Sequence, residues 1–398
     1  MRELMHQLKV PRRRDEKARA GFVSSLRRYV LNDMAQQLRS SFERDALPAF
    51  RRRSGRLPRD ARDAHQAVRH HETFRFYSSL RVTSQDLLYQ VVRAPIERAQ
   101  DELRSIAGKL AASKPLGSLQ LQPGFTVPRS VSAIDIHLMP GSYDAEYGPD
   151  DLTMGAVYEN RLAISTFGAF GPNLDDIGQS IARFIQLRYP QFKPERILDL
   201  GCTVGHNTGS WKDGFPAAEV HGIDVAAPCL RYALARARSQ GRALHFHQMN
   251  AEALEFADAS FDVVFSSMFL HEVPPQGIGK LLREAHRVLR PGGLMLHMEL
   301  PPASQLCAYD SFYLDWDGHY NNEPFYRAFR AQDPRKLIVE AGFSPGNYVQ
   351  FVVPSFNALG EKRWLEVFDS APPVASDKTG RLAEGVRWFC FGAWKTPS

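Results

Sequence analysis

The chain has 398 residues, more than one average domain, so two compact units are expected. With 43% hydrophobic and 24% charged residues, wholesale disorder is excluded, and no apolar run approaches the roughly 18–20 residues that span a bilayer. The net charge of +6 hides an asymmetry: residues 1–130 carry 26 Lys and Arg against 13 Asp and Glu, and the remainder carries 24 against 31. A basic end attracts phosphate or anionic lipid, but acids are interleaved throughout it and no RNA-type aromatic signature accompanies it. It reads as a solvated helical surface docked on an acidic core unit. The start of the chain has no apolar leader segment. Cys202, Cys229, Cys307 and Cys390 lie far apart with no CxxC pair, against a zinc ribbon or a redox couple. A reduced, cytoplasmic protein is expected.

In chain order, residues 1–45 read as helical, with Leu26, Val30, Met34 and Leu38 recurring every fourth position. Residues 51–71 are polar, contain Gly55 and Pro58, and read as a flexible connector. Thr83 and Asp86 resemble a helix-opening pair, followed by Leu87, Leu88, Val91 and Val92, with Pro95 kinking or ending the helix. A second helical run covers 96–110, and the Pro- and Gly-bearing stretch to Pro128 marks a boundary. Three units follow from this: a basic helical accessory or cap unit at 1–125, a lead-in segment at 126–175, and a core at 176–398 with an aromatic insertion at 301–333. In the core, short apolar runs at 196–200, 219–223, 244–248, 261–265 and 294–299 alternate with helices at 229–239 and 277–289. That alternation predicts an α/β fold, a mostly parallel sheet with helices on both faces, whose ligand lies at the carboxyl ends of the strands.

The first of those strands runs into Asp199-Leu200-Gly201-Cys202-Thr203-Val204-Gly205-His206-Asn207. Gly201 and Gly205 allow a sharp turn and close backbone approach to a ligand. A dinucleotide loop would prefer G-x-G-x-x-G; here the glycines are four apart and follow an acid, which suits a cationic ligand better than a pyrophosphate. The core resembles the class I methyltransferases that use S-adenosylmethionine (SAM), nearest the ubiquinone/menaquinone-biosynthesis branch. Asp199, Gly201 and Gly205 match that family's D-x-G-x-x-x-G loop, with Thr203 in place of the commoner middle glycine. Asp224, ending Val220-His221-Gly222-Ile223-Asp224, matches the acid that accepts from both ribose hydroxyls. Asn250-Ala251-Glu252 matches the segment beside adenine, with Asn250 where Asp is usual. Phe261–Ser267 followed by Leu270-His271-Glu272-Val273, and then Glu284 to Gly293, match the fourth strand and the turn into the fifth.

The resemblance implies a Rossmann-like seven-stranded sheet with one antiparallel strand near the C-terminus, for which 348–353 and 387–394 supply the last two strands. It also implies SAM as the cofactor, contacted by Asp199, Gly201, Cys202, Thr203, Gly205, Asn207, Asp224, Val225, Asn250, Ala251, Glu252 and Ser266. It does not cover residues 1–125. By analogy, Tyr143 to Tyr147 and Phe167 to Gly171 in the lead-in close over SAM.

An N/D-P-P-Y/F element for gripping a flipped base is absent after strand four, so a nucleic-acid substrate is disfavoured. The insertion supplies Tyr309, Tyr313, Trp316, Tyr320 and Phe325 as candidate walls for a small aromatic or apolar acceptor; an amine caged by cation–π contact and simple packing on the N-terminal helices are the alternatives. Methyl transfer is a displacement at a sulfonium, so alignment and exclusion of water carry most of it. A base is needed only where the acceptor must lose a proton; His271, His319 and Glu299 are the candidates, in that order. No spacing of His, Cys, Asp and Glu suits a metal. The leading expectation is a SAM-dependent methyltransferase of a small organic molecule, its helical unit capping the site or forming a homodimer. The rival is a SAM-fold binding protein without methyl transfer, its basic arm engaging a protein or nucleic acid. A SAM-fold enzyme of decarboxylation or cyclisation is a third reading.

Overall fold

The computed structural model describes residues 5–367 and 387–397; the first four residues of the basic unit and positions 368–386 of the core unit lie outside it. The N-terminal half is helical: α1 (Arg14–Arg28), α2 (Ala35–Ser41), α3 (Leu47–Ser54), α4 (Ala61–Val68), α5 (Glu72–Arg98) and α6 (Gln100–Ser113). Two π-helical stretches, Tyr29–Met34 and Phe42–Ala46, join the first three of these. Residues 51–71 are therefore not the flexible connector expected. Gly55 ends α3 at φ 71°, and the Asp60 carboxylate accepts from the Asp63 N–H at 2.9 Å to open α4. Thr83 and Asp86 open nothing either, since they lie inside the 27-residue α5. Pro95 is accommodated in its last turn.

Strand β1 (Ser118–Gln120), the short helix α7 (Arg129–Ser132), α8 (Thr153–Ser165) and α9 (Asp176–Arg188) lead into the core. There follow β2 (Arg196–Leu200), α10 (His206–Gly214), β3 (Glu219–Asp224), α11 (Ala227–Ser239), β4 (His245–Gln248), β5 (Phe261–Ser267), α12 (Pro275–Val288) and β6 (Leu289–Glu299). The insertion forms α13 (Ala308–Tyr320) and α14 (Tyr326–Arg330); α15 (Pro334–Glu340), β7 (Tyr348–Pro354), α16 (Phe356–Val367) and β8 (Arg387–Trp394) complete the described chain.

The strands form one sheet in the order β1-β4-β3-β2-β5-β6-β8-β7. It has eight strands, not seven. The additional one is β1, which pairs in parallel with β4 and comes from the stretch expected to belong to the helical unit. β8 runs antiparallel to both β6 and β7; the other pairings are parallel. Alternation along each strand feeds the two faces in turn. Ile197, Val263, Phe265 and Leu296 meet α9, α10 and α11, and Leu198, Val264 and Met295 meet α12 and α15. The outer face of α11 shares a further core with α1, α5 and α8, through Val23, Leu88, Val92, Val157 and Tyr232. Helices α2 to α5 enclose α13 in a fourth cluster. The N-terminal helices thus pack on the outer face of α11 and around α13 rather than standing apart from the core. No helix among the described residues is long and apolar enough to cross a membrane.

Candidate functional site

Strand order reverses between β2 and β5, and a crevice opens outside the carboxyl ends there, as expected for a doubly wound sheet. Two adjoining cavities, about 230 and 60 Å³, share Val131, Gly201, Asp224, Val225, Phe269 and Glu272. Gly201 has φ 67°, and a Cβ on it would fall 2.4 Å from the Phe269 ring, so only glycine fits. Gly205 (φ 72°) begins α10 from behind the crevice rather than lining it. Thr203 holds φ 49°, a left-handed conformation that is costly for a β-branched residue. His137, Leu174 and Met268 also have positive φ and also line the crevice. Strained backbone is concentrated at this site.

Asp224 is clamped by the backbone: Oδ2 accepts from the Thr203 N–H and Oδ1 from the Ala226 N–H, each at 2.9 Å. One accepting position remains on each oxygen. Burial, with Glu272 nearby, lifts its pKa to about 6 despite those bonds. Asp199 accepts from Thr208 Oγ1 at 2.6 Å, and burial lifts its pKa to about 7. Cys202, Thr203, Asn207 and Val225 line the larger cavity; Asn207 Oδ1 is bonded to the Gly178 N–H at 2.9 Å. Asn250, Ala251 and Glu252 line the smaller one with Ile223, Met249 and Pro274. Asn250 Oδ1 also takes the Glu252 N–H at 2.9 Å, closing the turn.

Ser266 is a correction. It is wholly buried, its hydroxyl pairs with His297 Nδ1 at 2.7 Å, and Ser267 lines the crevice in its place. In a strand a shift of one residue changes the face.

Among the three candidate bases, His271 lines the crevice and the other two do not. Glu299 is fully engaged behind it: Oε1 accepts from the Phe269 and Leu270 N–H groups at 2.8 and 2.6 Å, and Oε2 meets His271 Nδ1 at 2.6 Å. Its geometry is that of a residue orienting His271 rather than one reaching an acceptor. Burial alone would lower the His271 pKa, but Glu299, with Glu323 and Glu272, raises it to about 9. His319 is exposed at the mouth of a different cavity. Of the aromatic candidates, Tyr309, Tyr313, Trp316 and Tyr320 pack with α2 to α5; Trp316 also borders a cavity, formed with α4.

Several residues that sequence reasoning did not single out complete the site. Glu272 accepts from Tyr143 Oη at 2.8 Å and faces His137 Nε2 at 3.1 Å; His137 Nδ1 in turn faces Glu323 at 3.1 Å. Burial opposes the charged forms, but these contacts hold both glutamates below the usual carboxylate range and raise His137. Arg161 lies over the Tyr158 ring at 5.2 Å, and its buried Nε has no hydrogen-bond partner among the described residues. Ser267 Oγ is likewise buried without one. Tyr143 and Phe170 of the lead-in line the crevice, whereas Tyr147 is exposed.

Behind the loop, Glu159 of α8 is completely buried and gathers four partners: His6 Nε2 at 2.7 Å, His206 Nε2 at 2.9 Å, Tyr232 Oη at 2.5 Å and Arg236 Nε at 2.8 Å. Nothing in the sequence marks these as a set; they come from four separated segments.

Residues 197–293 match the methyltransferase domain family described as Methyltransf_25. A malonyl-[acyl-carrier protein] O-methyltransferase of Pseudescherichia vulneris is 30% identical over 37% of this chain and 57% of its own. A demethylmenaquinone methyltransferase of Thermus thermophilus is 38% identical over 27% of this chain and 49% of its own. A ubiquinone/menaquinone biosynthesis C-methyltransferase of Pasteurella multocida is 31% identical over 39% and 65%. The chain spans about half the length of the first two relatives, and the family match at residues 197–293 falls on the β2-to-β6 region where the crevice is built. The chain thus carries, at residues 197–293, a match to a methyltransferase domain family.

Proposed function

We propose that the chain is a SAM-dependent methyltransferase acting on a small organic acceptor. The observation that carries this is the crevice floor: a D-x-G-x-x-x-G turn pressed on Phe269, beside an Asp224 carboxylate pinned by two N–H groups with one accepting site left on each oxygen. Those two sites suit vicinal ribose hydroxyls. The unpartnered Arg161 Nε and Ser267 Oγ are what a ligand with its own carboxylate and amine would satisfy, so the residues present fit SAM. Asp224 would hold its ribose, Asn250 to Glu252 the adenine, and Arg161 the amino-acid end. SAM supplies an electrophilic methyl group on a sulfonium.

The chain's own contribution is placement and electrostatics. Glu299 fixes the His271 ring through Nδ1 and keeps it protonated at neutral pH, so His271 serves as a hydrogen-bond donor to an anionic acceptor atom more readily than as a base. The relatives' names divide between O-methylation of a carrier-bound malonyl group and C-methylation in quinone synthesis. An acceptor that is already an anion needs no base, whereas a ring carbon must finally lose its proton. Turnover of methyl-labelled SAM to S-adenosylhomocysteine with a panel of aromatic acids, phenols and quinols tests the proposal. Label in an organic product supports it; no turnover with any acceptor, by protein that binds SAM, contradicts it.

A further inference from the structure

A larger cavity, about 510 Å³, opens between α4 and α13, a size typical of small-molecule sites. Its walls are flat: the His65 and Phe312 rings lie 11° from parallel with centroids 5.7 Å apart, and Trp316 continues the surface. Trp316 is 6% exposed, and its indole N–H has no acceptor among the described residues, an unmet donor of the kind buried groups seldom retain. Arg62 and Arg327 flank the opening. Two acids also border it, but both are engaged by other groups. Asp315 is paired with the fully buried Arg330 side chain at 2.5 Å, with Arg327 more distant at 3.7 Å, and Glu323 faces His137 at 3.1 Å. Arg62 has no carboxylate partner among the described residues. It also belongs to the stretch 51–75, which holds eight arginines against three acids. The cavity therefore presents flat apolar walls, one unmet N–H and a surplus of positive charge.

Glu323 also forms the wall between this cavity and the crevice: it borders the cavity, and its Oε2 lies 3.7 Å from Nε2 of His271, which lines the crevice. We infer that this cavity binds a flat aromatic or conjugated acid, its carboxylate held by Arg62 and Arg327 and its other end against the Glu323–His271 wall. Aromatic residues of the insertion then divide their tasks: Tyr309 and Tyr313 anchor α13 on the N-terminal helices, and Trp316 faces the ligand as well.

The test uses the full chain and 2-naphthoate as probe, with 2-naphthamide as its neutral match and 2-naphthylmethylamine as its cationic one, titrated calorimetrically at low salt. Naphthoate should bind at least tenfold tighter than the amide or the amine. R62Q with R327Q should erase that preference, and Trp316→Phe should weaken naphthoate severalfold. Because Arg62 and Arg327 are exposed, the double variant should fold, and its SAM titration should match wild type. No naphthoate binding, equal binding of all three probes, preference for the amine, or naphthoate affinity unchanged in the double variant would each overturn the inference. If SAM fails to bind while naphthoate binds with the stated preference, the methyltransferase reading falls and the anion site stands. If SAM binds and the preference is missing, the anion site falls and the methyltransferase reading stands.

Discussion

Removing the Glu159 carboxylate strikes the point where the N-terminal segment, α8, α10 and α11 meet. In Glu159→Ala the Arg236 guanidinium, 2% exposed, keeps its charge and loses its ion partner. His6, His206 and Tyr232 each lose an acceptor. Breaking a buried ion pair by deleting one member costs about 3–5 kcal/mol, because the survivor is left uncompensated. For a chain of this length the urea m-value is about 3 kcal/mol/M or more, so the midpoint should fall by roughly 1 M. Glu159→Gln keeps an acceptor but leaves Arg236 equally without a counter-charge, so it should lose somewhat less than Glu159→Ala but remain clearly destabilised. His206 is the first residue of α10, directly after the Gly205 turn, so SAM affinity should fall in Glu159→Ala even where the protein is fully folded. Urea melts followed by circular dichroism, with SAM titration in parallel, check both. A midpoint shift below about 0.3 M, or a large shift with unchanged SAM affinity, would refute the claim that this buried hub braces the loop.

Asp224→Ala should weaken SAM by about 1.5–3 kcal/mol, the scale of lost charged hydrogen bonds, as read by calorimetry. Thr203→Gly should raise stability by about 1 kcal/mol in a thermal melt, since glycine adopts φ 49° without the cost a β-branched residue bears there. Buried His206, His221 and His247 have pKa values lowered to about 4, chiefly by burial, and burial alone lowers His297 to about 3. Below pH ~6.5 the unfolded chain takes up protons there that the folded chain refuses. Stability should therefore fall between pH ~6.5 and 4, by up to about 1.4 kcal/mol per pH unit for each histidine, as followed by thermal melts across that range. His271 works in the opposite sense: its folded pKa near 9 adds stability below pH ~6.5 that is lost as pH rises through 9, and the alkaline limb should flatten in His271→Ala.

The sheet was readable because its strands alternate between two buried faces and because turns such as Gly201 punctuate them; the boundaries fell within two residues except at β6, which begins five residues before the expected start and takes in Gly292. Legibility ended where local pattern and tertiary demand diverge. Thr83 and Asp86 form a sound opening pair, yet no breaker precedes them after Glu72, and packing of α5 on α1 and α8 favours one continuous helix. Gly55 and Pro58 read as a connector because turn residues are visible and the burial of Phe50 and Val68 on either side is not. β1 is only three residues long, too short for any periodicity. In the site, residues inside the D-x-G-x-x-x-G stretch were identifiable from spacing and resemblance. His137, Arg161 and Glu323 were not, because each meets the crevice through a fold contact between distant segments. Ser266 was misplaced by one position, the smallest error a strand allows and one that reverses the side chain.

The most direct measurement is calorimetric titration of the full chain with SAM, with NAD as the comparison and Asp224→Ala as the variant. Saturable SAM binding in the micromolar range is expected, weakened about tenfold or more by Asp224→Ala, with no heat from NAD. Folded protein that ignores SAM, or that binds NAD in its place, would contradict the assignment of this crevice to SAM.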